Sequence, residues 1–392
     1  MMRVGKTNNR RVIWLDADRF DTKPNKSPWI EMSKVLQAHG FDVTLVTGYE
    51  NAPYENENLD VVSLRVWDIP FIFRIALLIR MLSWVLRNAG RDDIIILKPE
   101  SLLIAPSLKR RGFHKLHLDV RTLPLRALSS FKGKVDHWVF WTFTIGKLRK
   151  YASSYSFITE RLKSAIEQEF RAVFEDYVIW QSSVNMSVFR PVEAPDRGIS
   201  RKLFTVFYHG SIYGTRGIDK VIEAMSLLSP AYRGHIRFVI VGPDSGKIAL
   251  QDIVRRHGVT DSVTLAGYVP YEDIPNRIAQ ADCCICPLPD LLEWNVSSPL
   301  KVFEYMACEK PVILTPIPAH KDVADGQDFV VWTTGYEASD IRVAIEYAFD
   351  HRGQLTDAAR AARDFMRDTY DWTIQGRHFA DYLGGRYRRE LS

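Results

Sequence analysis

Short apolar runs and longer amphipathic segments alternate along the chain, the rhythm of parallel strands crossed by helices. Arg11 to Asp18, RVIWLDAD, reads as a first buried strand. A polar loop at 19–28 leads to a helix from about Trp29 to Ala38, closed by His39-Gly40, and FDVTLVT (41–47) is the next strand. DDIIILKPE (92–100) and KLHLDVRTLPL (115–125) are two more, and SFITERLKSAIEQEF (156–170) runs from a strand end into a helix. YVIWQSSVNMSVFRP (177–191) leads into a stretch with Pro, Gly and Ser at 191–200, which marks a domain boundary. The rhythm then restarts with KLFTVFYHGS (202–211), the helix IDKVIEAMSLL (218–228), HIRFVIVGP (235–243), a helix near 246–257, SVTLAGYVP (262–270) and a helix at 271–280. The run from Cys283 to Leu288, closed by prolines, suits a buried strand. Pro299 sits where a first helical turn tolerates it, and KPVILTP (310–316) follows that helix. The pattern predicts an α/β chain of two similarly built domains, 1–195 and 196–372, with a last helix over 373–392 packing back on the first.

Open α/β sheets hold their ligands at the carboxyl ends of strands, and three loops there carry candidate chemistry. From Leu300 to Ala307 the spacing is helical, with Val302, Phe303, Met306 and Ala307 on one face and Glu304 on the other. Free amides at that helix start, over Ser298 to Leu300, favour an anion, and Ser298 and Lys301 add donors. Glu304, one turn in, can accept from vicinal hydroxyls such as those of a ribose. This is a seat for a nucleoside diphosphate, or else a solvated Lys and Glu on an exposed helix. In HGSIYGTRG, Gly210, Gly214 and Gly217 let backbone amides approach a ligand, and Arg216 can meet a phosphate with two hydrogen bonds. Asp119 and Arg121 point the same way by strand alternation, which offers a substrate contact or simply an ion pair. The first loop lacks G-x-G-x-x-G, which argues against a nicotinamide cofactor.

Ile69 to Leu86 is the most apolar stretch of the first half, yet Arg74 and Arg80 lie inside it. Each central arginine costs about 2.5–3.5 kcal/mol on insertion, which excludes a transmembrane span. On a helical wheel Ile75, Leu78, Ile79, Leu82, Val85 and Leu86 share one side, so the segment either lies in a membrane interface or is a core helix with snorkelling arginines. HWVFWTFTIGKLRKY (137–151) interleaves aromatics with bases, as an interface belt does. Nucleic acid is not an expected partner, because no fold signature accompanies the cluster. Arg74, Arg80, Trp84, Arg121, Trp138 and Trp141 are therefore the expected membrane and acceptor contacts. Composition sharpens this: of a net charge of +5, the segment 61–150 alone carries 17 basic and 6 acidic residues, which fits an anionic surface. The four cysteines, three of them within Cys283 to Cys286, read as buried strand residues rather than a metal site or a disulfide framework, consistent with a reducing cytosol. MMRVGKTNNRR lacks the apolar core of a secretion signal.

The order of these features resembles the retaining GT-B glycosyltransferases, specifically glycosyltransferase family 4 (glycosyl transferases group 1), from about residue 29 to 350. QSSVNMSVFRP is similar to the family's hinge motif. HGSIYGTRGIDKVIEA resembles its phosphate loop, with Arg216 at the motif's lysine and Ser211 at its arginine. VTLAGYVPYEDIPNRIAQADCCICPLP resembles the strand–helix–strand that holds the nucleobase, and PLKVFEYMACEKPVILTPIPAHKDV its donor-binding helix. The resemblance implies two Rossmann-like domains facing each other across a cleft. It implies donor contacts from Gly210, Ser211, Arg216, Tyr268, Val269, Ser298, Pro299, Leu300, Lys301 and Glu304, and catalysis by Asp119, Arg216 and Lys301 without a metal or cofactor. The reaction implied is retaining transfer of a hexose-type sugar from a nucleoside diphosphate to a lipid-linked or polysaccharide acceptor, by a peripheral protein on the cytoplasmic face of the membrane. The chain departs from the pattern at Ser211 and at Val296, where family members often carry a second glutamate. A nucleotide-sugar epimerase or hydrolase of the same fold, and a catalytically silent binding subunit, are the alternative readings.

Overall fold

The computed structural model describes residues 10–21, 26–67, 72–123, 134–135, 137–192, 203–212, 214–243 and 250–387. They form two units, one made of 1–181 with 372–392 and the other of 182–371. In the first, β1 (Arg10–Arg19), β2 (Phe41–Tyr49), β3 (Asp60–Arg65), β4 (Ile94–Leu97), β5 (Leu116–Val120), β6 (Ser154–Phe157) and β7 (Tyr177–Ile179) build one sheet in the order β3-β2-β1-β4-β5-β6-β7. Every pairing in it is parallel. Trp14 pairs with Leu45 on one side and Ile96 on the other, and all three are fully buried, as expected of a strand covered on both faces. The strand order reverses between β1 and β4. Chain connections run outward from that point in both directions and leave a crevice at the carboxyl ends.

The second unit repeats the plan with β8 (Phe204–His209), β9 (Ile236–Val241), β10 (Val263–Gly267), β11 (Cys283–Cys286), β12 (Val312–Leu314) and β13 (Val330–Trp332), ordered β10-β9-β8-β11-β12-β13 and again all parallel. Its reversal lies between β8 and β11. The strands missed in the sequence are three edge strands, β3, β7 and β13, the last two only three residues long. Edge strands bury little, so their apolar pattern is weak; β3 is held in part by Thr44 Oγ1 donating to Asp60 at 2.7 Å.

The division falls at Gln181/Ser182, earlier than the expected 195/196. Val184 N donates to Tyr370 O at 3.0 Å, and the Arg363 guanidinium donates to the carbonyls of Met186, Phe189 and Ala307 at 2.8–2.9 Å. Those bonds tie 182–189 into the second unit; most of the expected linker, 193–200, lies outside the described residues. In the first unit the Trp372–Arg386 helix packs against the Ser27–Ala38 helix, where a Cβ on Gly376 would stand 2.3 Å from Val35. Only glycine permits that approach.

The apolar segment of the first half is a helix at Ile72–Asn88; residues 69–71 lie outside the described set. Its buried face is Leu77, Leu78, Met81 and Val85, which corrects the expected grouping: Ile75 and Ile79 are exposed, at 52% and 63%. Among the described residues no helix is long and apolar enough to cross a membrane. The aromatic cluster is a π-helix at Trp138–Leu148. Residues five apart share a side in that winding, so Trp138 and Phe143 stack outward at 6.0 Å while Phe140 and Ile145 turn in. Trp141 is also buried, against Phe170, which removes it from the expected surface contacts.

Candidate functional site

In the second unit the sequence-predicted loops meet at the β8/β11 reversal. Three glycines make the meeting possible. Gly210, after β8, has φ +126, and a Cβ on Gly242, after β9, would fall 2.0 Å from the Gly210 carbonyl oxygen. A Cβ on Gly217, φ +71, would fall 2.0 Å from the carbonyl oxygen of Pro287, just past β11. Each is a backbone-on-backbone approach closed to any L side chain.

Gly217 precedes the Ile218–Ser226 helix, and Arg216 lies over the Trp294 ring at 4.7 Å, close to the Tyr208 hydroxyl. Trp294 is held by donating to Thr215 O at 2.7 Å. The Leu300–Ala307 helix starts beside this cation, and Ser298 accepts from Ser182 N at 3.2 Å. The exposed-helix alternative fails here, because every residue from Lys301 to Ala307 is buried, and Lys301 and Glu304 are only 7% and 5% exposed. Lys301 Nζ lies over the Tyr208 ring at 5.1 Å. Burial pushes its ammonium down to about 8, and the neighbouring Arg216 adds to the fall while Cys286 and Glu304 oppose it. Arg216 pushes the Lys301 ammonium toward its neutral form, so the two cations repel each other here, and an anionic ligand beside them would relieve that repulsion.

Glu304 accepts from His209 Nε2 at 2.8 Å, and His209 N donates to the Tyr305 hydroxyl at 3.0 Å. The sequence reading passed over His209 as part of a glycine loop; its place two residues before Ser211, at a strand end, was the available signal. Two further buried groups were not among the expected contacts. Glu293 is 6% exposed on the Leu292–Asn295 helix, three residues before the departure at Val296. His320 Nδ1 donates to Thr315 O at 2.8 Å, while its buried Nε2 has no hydrogen-bond partner among the described residues. Burial lowers His320 to about 4, with Lys301 contributing, so its ring is neutral. Tyr268, 72% exposed, and the buried Val269 follow the edge strand β10, two strands from β8, and are linked inward through Gly242 N donating to Gly267 O at 2.9 Å.

The first unit has its own polar cluster at carboxyl ends. At the β1/β4 reversal Lys98 Nζ lies 3.1 Å from Asp16 and 3.2 Å from Asp18, and over the Trp29 ring at 4.7 Å. Arg74 approaches Asp18 at 3.7 Å and the Phe140 ring at 5.2 Å, so it is a packed side chain rather than a free surface charge. Arg80 is exposed and Trp84 half-buried. Asp119 and Arg121 are both buried; Arg121 stacks 3.3 Å above Trp180 and donates to its carbonyl at 2.5 Å. Burial raises the Asp119 carboxyl to about 6 against the pull of Arg121, Ser156 and Lys98. Among the described residues no group of three or more His, Cys, Asp or Glu could hold a metal ion.

Two parallel-sheet units of this kind define the GT-B glycosyltransferase fold. Similar solved structures are sucrose-phosphate synthase from Thermosynechococcus elongatus (TM-score 0.77, 14% identity, 98% of this chain and 99% of that one) and Anabaena HepE in complex with UDP and glucose (TM-score 0.74, 13% identity, 96% and 100%). Within the second unit, residues 204–349 match the family model of the glycosyl transferases group 1. The alpha-D-kanosaminyltransferase of Streptomyces kanamyceticus is 25% identical over 184 residues, 47% of this chain and 45% of its own length. TuaH of Bacillus subtilis (strain 168), named for teichuronic acid biosynthesis, is 24% identical over 238 residues, 59% of this chain and 57% of its own. The chain thus matches about half the length of either relative.

Proposed function

We propose that the protein is a retaining glycosyltransferase that moves a hexose-type sugar from a nucleoside diphosphate to a lipid-linked or polysaccharide acceptor at the cytoplasmic face of a membrane. The observation that carries this is the pair of cations, a half-buried Arg216 and a buried Lys301, beside the start of the Leu300–Ala307 helix, with the His209–Glu304 pair one turn further in. A pyrophosphate there would be met by two side-chain cations and by helix amides, which stabilise leaving-group charge as the glycosidic bond breaks, the role a divalent ion plays elsewhere. Glu304, steered by His209, would take the ribose hydroxyls. Asp119 would orient or deprotonate the acceptor hydroxyl. The exposed Trp67, Ile75, Ile79 and Trp138 with Arg80 support a membrane-held acceptor, and the name borne by TuaH favours a surface polysaccharide.

The test is a melting-temperature screen with UDP-, GDP- and ADP-sugars, followed by turnover against membrane extracts with the product anomer read by NMR. A donor should raise the melting temperature, because it binds the folded form alone. Arg216→Ala should lower kcat/KM by two or more orders of magnitude in a folded protein. Release of free sugar in place of transfer would point to a hydrolase or epimerase, and donor binding without turnover to a silent binding subunit. Either outcome overturns the proposal.

A further inference from the structure

Strands β5 and β6 run parallel in a register that sets His117 opposite Ser154 and Asp119 opposite Ser156. Positions two apart share a sheet face, so four polar side chains stand in a row inside an otherwise apolar core. All four are fully buried, and they are joined. Ser156 Oγ donates to Asp119 Oδ1 at 2.7 Å; His117 Nε2 lies 2.8 Å from Ser156 Oγ, and His117 Nδ1 lies 2.7 Å from Ser154 Oγ. Ser154 Oγ lies 2.7 Å from the Tyr387 hydroxyl, at the end of the last helix, and that helix lays Phe379 and Tyr382 against the imidazole at 5.4 and 6.1 Å.

Proton counting fixes the direction of the row. Burial pushes His117 down to about 3, so the ring is neutral and holds one N–H. Ser156 has a single proton and gives it to Asp119, so it must accept from His117, and the imidazole proton sits on Nε2. Nδ1 is then bare and accepts from Ser154, which in turn accepts from Tyr387. One arrangement satisfies every member, and all its donors point toward Asp119. Among the described residues no well-aligned hydrogen bond reaches the carboxyl's other oxygen, Oδ2, which is buried, or Nη2 of Arg121 and Nε1 of Trp180, although the Arg121 and Trp180 side chains both favour the ionised carboxyl. The row therefore holds one oxygen of the carboxyl and leaves the other to Arg121 and Trp180.

We infer that His117 and Ser156 are positioning residues for Asp119: they grip Oδ1 from within the core and so present Oδ2, alongside Arg121, to the hydroxyl of the acceptor. The inference rests on the acceptor-side reading of Asp119 given above. The groups that bear on this carboxyl are Arg121 on its own strand, Lys98 after β4 (itself paired with Asp16 and Asp18 of β1), Ser156 on β6 and Trp180 after β7. A bond donated to the ionised form holds its proton affinity down. Cutting the row should therefore raise the midpoint at which Asp119 titrates.

The experiment follows the Asp119 carboxyl by infrared difference spectroscopy across pH 4–8, with the band assigned from Asp119→Asn, on the full chain without ligand. Ser156→Ala and His117→Phe should move the midpoint upward from about 6 by half a pH unit or more. Ser156→Thr, which keeps the hydroxyl, and His117→Gln, which keeps a donor toward Ser156, should leave it near the wild-type value. The acid limb of turnover should shift in parallel. An unmoved midpoint in folded Ser156→Ala overturns the inference, and that variant decides the matter if His117→Phe does not fold. A shifted midpoint combined with undiminished turnover in Asp119→Asn upholds the row and overturns instead the role assigned to Asp119.

Discussion

Replacing Lys301 with Met should have opposite effects on stability and on nucleotide binding. The ammonium is 7% exposed, and burial brings it down from an ordinary 10.5 to about 8. That displacement corresponds to roughly 3 kcal/mol spent on keeping the charge where it is. Because the folded value lies below the unfolded one, the cost is full below pH 8 and fades as pH rises from 8 toward 10.5. Met keeps the stem that packs over Tyr208 and discards the charge. At pH 7 Lys301→Met should therefore gain up to about 3 kcal/mol, or roughly 5–10 °C in melting temperature for a unit of this size. Binding moves the other way. A charge-assisted hydrogen bond to phosphate is worth about 1.5–3 kcal/mol, so the variant should bind the preferred nucleoside diphosphate about 10- to 150-fold more weakly at pH 7. Calorimetric titration of wild type should give a Kd that is level from pH 7 to 8 and then weakens toward about tenfold per pH unit, as Lys301 loses its proton before binding. In Lys301→Met that slope should vanish. A level wild-type Kd from pH 7 to 9, or unchanged binding by the variant at pH 7, would refute the placement of the pyrophosphate.

Glu304→Ala should weaken nucleoside diphosphate binding at least tenfold and cost about 1–3 kcal/mol of stability, since His209 Nε2 loses its partner inside the fold. A 2′,3′-dideoxy analogue should bind wild type and the variant alike, and a preserved preference for the ribose form in the variant would remove Glu304 from that role. Gly217→Ala meets the Pro287 carbonyl oxygen at 2.0 Å, so its melting temperature should fall further than the strain of a left-handed residue alone, about 1 kcal/mol, would cause. Gly234→Ala, also at positive φ but facing open space, supplies the comparison. Trp138→Ala should reduce cosedimentation with anionic vesicles without altering the melting curve. Trp141→Ala should do the reverse, losing about 3–5 kcal/mol of stability, because one ring is 59% exposed and the other 5%.

The alternation of apolar runs was enough by itself to place the two parallel sheets, because strands buried on both faces write their burial directly into composition. RVIWLDAD and CCICPLP could hardly be anything else. Glycine positions and the helix start likewise singled out Gly210, Gly217 and Lys301, because residues at positive φ and at a helix N-terminus mark where backbone amides come free. Three things waited for the tertiary structure. The partnership of His209 with Glu304 joins residues nearly a hundred positions apart, and the row from Asp119 to Tyr387 depends on the register of two strands and the return of the last helix. The fate of the aromatic cluster turned on its helical winding: the wider π turn brings Trp138 and Phe143 together on the outside, a pair that a 3.6-residue wheel sets about 140° apart. Lys301 and Glu304 read equally as ligand contacts or as a solvated pair until the fold enclosed them. Periodicity tells a segment which of its faces is apolar, but only the neighbours decide whether its polar face meets water, a ligand or another charge.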